Sequence, residues 1–263
     1  MADVVAVANQ KGGVAKTTTA QSLGVAMAER GRRVLLVDLD PQACLTYSLG
    51  FDPDALTDSL HDVFLRRAKL ADVRRPVLGV DGLTLVPATI DLAGAEVHLM
   101  MRTGREHELA RALEPVLVDH DIVLIDCPPS LGVLTINGLT AAQSVLIPLQ
   151  CEALSHRGVG QLLETVEDVR AFANADLSVL GAVATMYDPR TRHARRVLDE
   201  VGTRYGLTVL DPPVPKSVRF AEAPELGRCI LQHAPDSAGA AAYRALAVAV
   251  EALLAAGLPA GTG

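Results

Sequence analysis

Residues 9–18 combine two lysines with two adjacent glycines, a pattern that can surround a chain of phosphates. The stretch reads Asn-Gln-Lys-Gly-Gly-Val-Ala-Lys-Thr-Thr and follows residues 4–8, an apolar run typical of a buried strand. Glycines allow backbone N–H groups to turn inward around phosphate oxygens, and a helix that begins there adds the positive end of its dipole. Lys16 would neutralise phosphate charge and the Thr17 hydroxyl would bind Mg²⁺. We predict a nucleoside triphosphate site formed by Lys11, Gly12, Gly13, Val14, Ala15, Lys16, Thr17 and Thr18.

This stretch departs from the ordinary phosphate-loop pattern G-x-x-x-x-G-K-[ST]. Gln10 stands where that pattern has its first glycine, Ala15 stands where it has its second, and Lys11 is an additional lysine. A glycine-rich turn without a ligand is the alternative, but the position between a strand and a helix favours a phosphate loop. The methyl group of Ala15 could tighten the loop or slow turnover, and the sequence leaves both open.

Carboxylates follow two further apolar runs. Asp38 and Asp40 come after Val34–Val37, and Asp126 comes after Ile122–Ile125. A carboxylate at the end of a buried strand is costly unless it is solvated, paired or close to a metal ion. A solvated turn is the alternative for the first pair. With the phosphate loop upstream, we predict that the metal ligands are Thr17, Asp40 and Asp126.

Strands and helices alternate along the chain. Alternation of this kind predicts an α/β fold, a single domain over residues 1–263 built on a mostly parallel, twisted sheet with helices on both faces. Ligands of such sheets bind beyond the carboxyl ends of the strands. We expect the tail after residue 258 to be disordered. The predicted strands are Val4–Ala8, Val34–Val37, Leu83–Val86, Ile122–Ile125, Ser144–Pro148, Val179–Thr185 and Thr208–Leu210. The predicted helices are Lys16–Arg30, Arg105–Asp119, Arg157–Ala173 and Thr191–Tyr205.

Composition excludes several classes of protein. The chain carries a net charge of −7, so it binds DNA only if charge is concentrated locally. Aromatic residues make up 3% and Trp is absent, which argues against binding single strands by base stacking. The four cysteines have no C-x-x-C spacing, which favours reduced cytoplasmic thiols over a metal site. The last apolar stretch, Ala238–Gly257, is interrupted by Arg244 and Glu251, which favours a packed terminal helix over a membrane span.

One segment reverses the overall charge. Residues 188–219 contain seven basic and four acidic side chains, a local sum of +3. A solvated helix face is the alternative to a binding surface. Nothing in the segment reads base sequence, so binding there would be directed at phosphates and sensitive to salt.

Several motifs together resemble one family. Residues 11–18, KGGVAKTT, resemble the deviant Walker A motif of the ParA/MinD ATPases, and residues 38–42, DLDPQ, and 126–129, DCPP, are similar to their acidic motifs. Residues 185–191 and 214–224 resemble segments of ParA/Soj chromosome-partitioning proteins, and the likeness spans roughly residues 3–235. It implies a P-loop NTPase fold and an ATPase that uses ATP and Mg²⁺, with slow turnover stimulated by partner and DNA. The implied catalytic residues are Lys11, which reaches the partner's nucleotide across a dimer, Lys16, and Asp40, which positions the attacking water.

The same resemblance implies further contacts and partners. The partners are a second copy in an ATP-dependent homodimer, non-specific double-stranded DNA and a ParB-type centromere-binding protein, without a membrane. The implied location is the cytoplasm, on the nucleoid when ATP is bound. The implied adenine contacts are Met186, Pro213, Val214 and Pro215. The implied DNA contacts are Arg190 and Arg219 and, more loosely, Arg195, Arg196 and Lys216.

Other functions remain open at this stage. A MinD-like membrane switch would need a basic amphipathic helix at the C-terminus, but no basic residue follows Arg244. A metabolic P-loop enzyme, such as an ATP-dependent amide- or ring-forming synthetase, would not explain the two ParA-like segments. A related ATPase that positions another cargo, or a nucleotide-binding module that Ala15 has made inactive, would share the same motifs.

Overall fold

The computed structural model describes residues 2–151 and 155–257, without the side chains of residues 155, 156, 192, 193 and 195. The described strands form one sheet in the order β3-β4-β2-β5-β1-β6-β7-β8. Every pairing is parallel except that of β3 with β4. The strands are β1 (Asp3–Val7), β2 (Val34–Asp38), β3 (Arg75–Pro76), β4 (Leu83–Val86), β5 (Ile122–Asp126), β6 (Ser144–Gln150), β7 (Ser178–Thr185) and β8 (Val209–Leu210).

Helices cover both faces of this sheet, which confirms the predicted fold class. They are α1 (Lys16–Glu29), α2 (Cys44–Ser48), α3 (Leu60–Phe64), α4 (Leu70–Val73), α5 (Leu92–Met100), α6 (Glu108–Leu113), α7 (Val133–Ala141), α8 (Ser155–Phe172), α9 (Arg192–Tyr205), α10 (Arg219–Glu225), α11 (Ile230–His233) and α12 (Ala238–Ala256). Three-residue or longer 3₁₀ turns lie at Pro53–Ala55, Arg105–His107 and Glu114–Asp119.

Alternate residues of the central strands enter two separate apolar layers. Val37 and Ile125 point into the layer formed with α5, α7 and α8, whereas Leu36 and Leu124 point into the layer formed with α1 and α12. Because both faces are buried, the strands read as continuous apolar runs. The sequence predicted seven of the eight described strands and missed the two-residue strand β3, which carries no apolar run.

One predicted helix is wrong. Arg105–Asp119 is a short 3₁₀ turn, the α-helix Glu108–Leu113 and a second 3₁₀ turn. Pro115 lacks the N–H that a continuing α-helix requires, so the helix ends before it. The predicted tail after residue 258 lies outside the described residues.

The apolar C-terminal helix α12 packs within the fold. By length and composition it could cross a membrane, the one such helix in the part of the chain that the structure describes. Its Tyr243, Leu246 and Val250 are buried beside α1. Glu251 is almost buried and pairs with the guanidinium groups of Arg30 at 2.9 Å and Arg32 at 3.0 Å. This is the packed terminal helix that the sequence predicted.

Candidate functional site

The glycine-rich loop is anchored by the buried Asn9 at its beginning. The Asn9 Nδ2 donates to the Pro148 carbonyl at 2.7 Å, and its Oδ1 accepts from the Lys11 N–H at 3.0 Å. The loop is thus tied to the end of β6 as well as to β1. Sequence reasoning assigned no role to Asn9, although an amide side chain directly after a buried strand is a signal for such an anchor.

The loop ends at Ala15, which is the residue before the first turn of α1. Ala15 has φ 66° and ψ 36°, the left-handed conformation, and no side chain caps the helix. The first-turn N–H groups of an uncapped helix need an external acceptor, and the helix dipole favours an anion there. The loop therefore has the geometry of a phosphate-binding site.

Lys16 is buried at this site, with 7% of its surface exposed. Its Nζ donates to the Lys11 carbonyl at 3.2 Å. Burial lowers the pKa of Lys16, and the charge of Asp126 is the largest of the effects that oppose this. A buried cation without an ion pair among the described residues fits a site whose natural counter-charge is an anionic ligand.

Asp126 is a buried carboxylate at the same site. It is 1% exposed, and neither carboxylate oxygen has a hydrogen-bond partner of normal geometry in the described residues. Burial, reinforced by the neighbouring Asp38, raises the pKa of Asp126 well above its usual value, while Thr17 and Lys16 act in the opposite direction. Carboxylate oxygens are the ligands that Mg²⁺ prefers. Asp126 and the adjacent Thr17 hydroxyl fit such an ion.

Asp38 has a different environment, although it lies directly beside Asp126 on the neighbouring strand. Its Oδ2 accepts from the Thr46 N–H at 2.8 Å and from the Thr46 hydroxyl at 2.7 Å, and its Oδ1 accepts from the Asp40 N–H at 3.2 Å. The Thr46 Oγ1 accepts in turn from the Ala88 N–H at 2.9 Å. Burial raises the pKa of Asp38 to about 7. Asp38 and Thr46 therefore fix the loop that carries Asp40; sequence reasoning missed Thr46 because no motif contains it.

A cleft of about 860 Å³ opens beside the phosphate loop, and the buried Asp38 and Asp126 do not line it. Asp40 lies in its wall, and one of its oxygens accepts from the Gln42 N–H at 2.9 Å. The phosphate loop forms one side and α2, with Tyr47, forms another. The cleft is also lined by Lys16, Thr17, Thr18, Ile90, Pro129 and Pro224.

The residues predicted to contact adenine come together beside the loop. Thr185 donates from its hydroxyl to the Val14 carbonyl at 3.0 Å, so the end of β7 touches the phosphate loop. Main-chain hydrogen bonds from Tyr187 and to Ala184 join this strand end to Val214. Met186 has φ 49°, Val214 is buried, and Pro213 and Pro215 are half-buried.

The predicted DNA contacts lie on the surface. Arg190, Lys216 and Arg219 are exposed. The Lys216 N–H donates to the Tyr187 carbonyl at 3.3 Å, which places Lys216 beside the turn that carries Arg190. Arg196 is exposed and pairs with Glu200 at 3.2 Å. The Arg195 side chain lies outside the described residues.

The fold and the site define a P-loop NTPase. A family model described as an AAA domain matches residues 2–179. The sporulation initiation inhibitor protein Soj of Bacillus subtilis is 44% identical over 96% of this chain and 99% of its own length. The chromosome partitioning protein ParA of Myxococcus xanthus is 42% identical, over 92% of this chain and 86% of the relative. The chain belongs to the ParA/Soj family of deviant Walker A ATPases.

Solved structures agree on the fold. The cobyrinic acid a,c-diamide synthase of Mycobacterium smegmatis, solved with bound ADP and magnesium, is 52% identical, with a TM-score of 0.87 and full coverage of both chains. The cell division ATPase MinD of Pyrococcus furiosus is 26% identical, with a TM-score of 0.78 over 96% of this chain and 100% of that one. Two differently named proteins thus share this architecture, and the likeness of fold alone does not assign the function.

Proposed function

We propose that this chain is an ATP-dependent dimerising switch that binds DNA non-specifically and hydrolyses ATP to drive chromosome or plasmid partitioning with a ParB-type partner. It acts in the cytoplasm, on the nucleoid while ATP is bound. The observation that carries the proposal is a pair of buried ionisable groups, Lys16 and Asp126, that form no ion pair among the described residues, at the phosphate loop of a chain 44% identical to Soj over nearly its full length. A related switch that positions another cargo would use the same chemistry.

The chain's own residues divide the work at the proposed ATP site. The N–H groups of the loop and the Lys16 ammonium hold the phosphates, while Thr17 and Asp126 hold Mg²⁺, which supplies neutralising charge when it is bound. Asp40, in the wall of the cleft, orients the attacking water. Lys11 of a second copy completes the site. Phosphoryl transfer needs little more than this positioning and charge compensation.

An exposed apolar strip beside the cleft supports the proposed dimer. It comprises Ile90 in the cleft wall, 61% exposed, with Val97 and Met100 of α5 and Met101 just after it, which are 71%, 57% and 87% exposed. Several exposed large apolar side chains within one short stretch of chain favour a protein–protein contact. A second copy that closes over the cleft would cover it.

The decisive experiment compares ATP with ADP in two assays on the same samples, size-exclusion chromatography and duplex-DNA binding. We expect wild-type protein to dimerise and bind DNA with ATP and Mg²⁺ but not with ADP. Lys16→Ala should fail to bind nucleotide, because the buried counter-charge for the phosphates is lost. Asp40→Ala should retain ATP and accumulate as dimer, because binding is intact and hydrolysis is not. Folded wild-type protein that ignores millimolar nucleotide would contradict the proposal.

The likeness to the Mycobacterium smegmatis synthase favours a second candidate, an ATP-dependent amide-forming synthetase. The two functions differ in what accelerates ADP release. A partition switch responds to DNA and to a basic ParB-type peptide, whereas a synthetase responds to cobyrinic acid together with an ammonia source. Acceleration by the acid and not by DNA would establish the synthetase and exclude the switch.

A further inference from the structure

Gly50 and Gly227 bring two distant parts of the backbone into direct contact. Both adopt left-handed conformations, with φ 86° and 62°. A Cβ atom built on Gly227 would lie 2.7 Å from the Gly50 Cα and 3.2 Å from its nitrogen. Because backbone atoms cannot yield as a flexible side chain can, this joint accepts only glycine at position 227.

Gly50 belongs to the segment that carries the predicted catalytic carboxylate. The loop that contains Asp40 runs directly into α2, and Gly50 follows the end of α2, where its N–H donates to the Tyr47 carbonyl at 3.0 Å. α2 is held at its middle by the Asp38–Thr46 hydrogen bonds and at its end by the Gln21 Nε2, which donates to the Ser48 carbonyl at 2.8 Å. The Asp40 loop and Gly50 lie at the two ends of α2, so a movement of α2 as a unit would displace both.

Gly227 belongs to the segment that carries a proposed DNA contact. It lies just beyond the end of α10, the helix that begins at Arg219. Near that beginning, the Phe220 ring packs edge-on against Tyr243, with centroids 6.0 Å apart. α10 is thus held at Phe220 and at Gly227, and Arg219 stands at the Phe220 end. Displacement at Gly227 would turn the helix about Phe220 and redirect Arg219.

Both segments also face the cleft. Tyr47 of α2 and Pro224 of α10 lie in its wall. A nucleotide that fills the cleft would therefore contact both the α2 segment, which ends at Gly50, and the α10 segment, which ends at Gly227. Because Gly50 and Gly227 touch through backbone atoms, a movement of one segment cannot be taken up by side-chain rotation and displaces the other segment.

We propose that Gly50 and Gly227 are positioning residues whose contact makes the orientation of Arg219 towards DNA depend on the nucleotide in the cleft. This rests on the proposed function, since it concerns the link between ATP and DNA binding. The quantity it predicts is the ratio of DNA affinities with ATP and with ADP. Ratios of about 5- to 150-fold are usual for coupled sites.

The test compares Gly227→Ala with Gly31→Ala. Gly31 has φ 82° but nothing within 4 Å of a built Cβ, so its alanine variant carries the backbone strain without the collision. For each variant, nucleotide affinity and DNA affinity in ATP and in ADP are measured by fluorescence anisotropy. We expect Gly227→Ala to keep nucleotide affinity and lose most of the ATP-to-ADP ratio, and Gly31→Ala to keep both. An unchanged ratio in Gly227→Ala would overturn the inference.

A second variant guards against misfolding. A Cβ on Gly50 would lie 3.5 Å from the Gly227 carbonyl oxygen, an ordinary contact, so Gly50→Ala strains the same joint more gently. If Gly227→Ala does not fold, a reduced ratio in Gly50→Ala supports the inference and a full ratio overturns it. A wild-type protein without any ATP-to-ADP difference would instead refute the proposed function, and this inference with it, so the two failures are distinguishable.

Discussion

Lys16 and Asp126 are each buried although neither has an ion pair or, for Asp126, a hydrogen bond of normal geometry among the described residues. Such groups reduce the stability of the nucleotide-free protein, because their interactions offset only part of the cost of desolvation. Their presence is explained if a phosphate chain and Mg²⁺ supply the missing partners. Lys16 and Asp126 therefore lower the stability of the nucleotide-free protein and contribute to ligand binding instead.

Asp126→Asn should stabilise the nucleotide-free protein, and more strongly as the pH rises. A raised folded-state pKa means that, below about pH 4, Asp126 is protonated in both states and carries no penalty. As the pH rises the unfolded chain ionises first, so stability is lost, by about 1.4 kcal/mol for each unit of pKa shift. We expect thermal unfolding of variant and wild type to coincide near pH 4 and to separate towards pH 8.

Asp121→Asn is the matched control, because its shift has the opposite sign. The Arg33 guanidinium, 2.7 Å away, lowers the pKa of the exposed Asp121 to about 2. The stabilisation from the Arg33–Asp121 ion pair is present at neutral pH and is lost as the pH falls. At neutral pH, Asp121→Asn should therefore be less stable than wild type. If the stability of Asp126→Asn and of wild type depends on pH in the same way, burial of Asp126 does not destabilise the protein. Added Mg²⁺ and ATP should make wild type more stable than Asp126→Asn, because only wild type keeps the carboxylate proposed to bind Mg²⁺.

Ala15→Gly should stabilise the protein, although glycine usually destabilises. A left-handed conformation costs an L-residue roughly 1–2 kcal/mol, and the added freedom of glycine in the unfolded chain offsets part of the relief. We expect a net gain of about 0.5–1 kcal/mol in the free energy of unfolding, measured by urea denaturation. Ala245→Gly, at an exposed position inside α12, should lose about 1 kcal/mol. A loss at both positions would mean that the Ala15 methyl group contributes packing that exceeds its strain.

At the scale of elements, the sequence predicted the parts that follow from local pattern. The buried strands read as apolar runs, and the carboxylates that follow β2 and β5 were placed at one edge because parallel strands end together. Short helices such as α2 and α10 were not predicted, since one or two turns carry no periodicity. The contact of Gly50 with Gly227 could not be predicted from the sequence either, because it depends on how α2 and α10 pack together.

The exposed apolar residues at α5 can be tested as the proposed dimer contact. Val97→Glu should weaken the ATP-dependent dimer by at least about tenfold, since a charge would be buried in the apolar contact. The monomer's free energy of unfolding should change by no more than about 0.5 kcal/mol, as for other surface positions. Val118→Glu is the control, because Val118 is as exposed, at 78%, but lies in the 3₁₀ turn Glu114–Asp119, which does not line the cleft. Sedimentation of both variants with a non-hydrolysable ATP analogue measures the effect; equal dimerisation would place the interface elsewhere.

Under the proposed function, a molecule of net charge −7 has to bind DNA, which is a polyanion. The proposed attraction comes from the surface around the exposed Arg190, Lys216 and Arg219, whereas the net negative charge of the chain opposes it. One copy offers too few cations to hold DNA firmly, whereas a dimer presents the surface twice. Under the proposed function, association of two copies would therefore strengthen DNA binding by doubling this charge, and the proposed change in the orientation of Arg219 would add to that effect.

The salt dependence of DNA binding follows from this confinement of positive charge. The logarithm of the affinity should fall with the logarithm of salt concentration with a slope of about −0.9 for each phosphate contacted, so about −5 for a dimer that uses three cations per copy. Arg219→Ala removes two contacts per dimer and should reduce the slope by nearly 2, and Arg190→Ala should do the same. Arg67→Ala is the control, an exposed arginine that follows α3, outside residues 188–219, and it should leave the slope unchanged. If both variants keep the wild-type slope, other cations hold the DNA and the surface has been wrongly assigned.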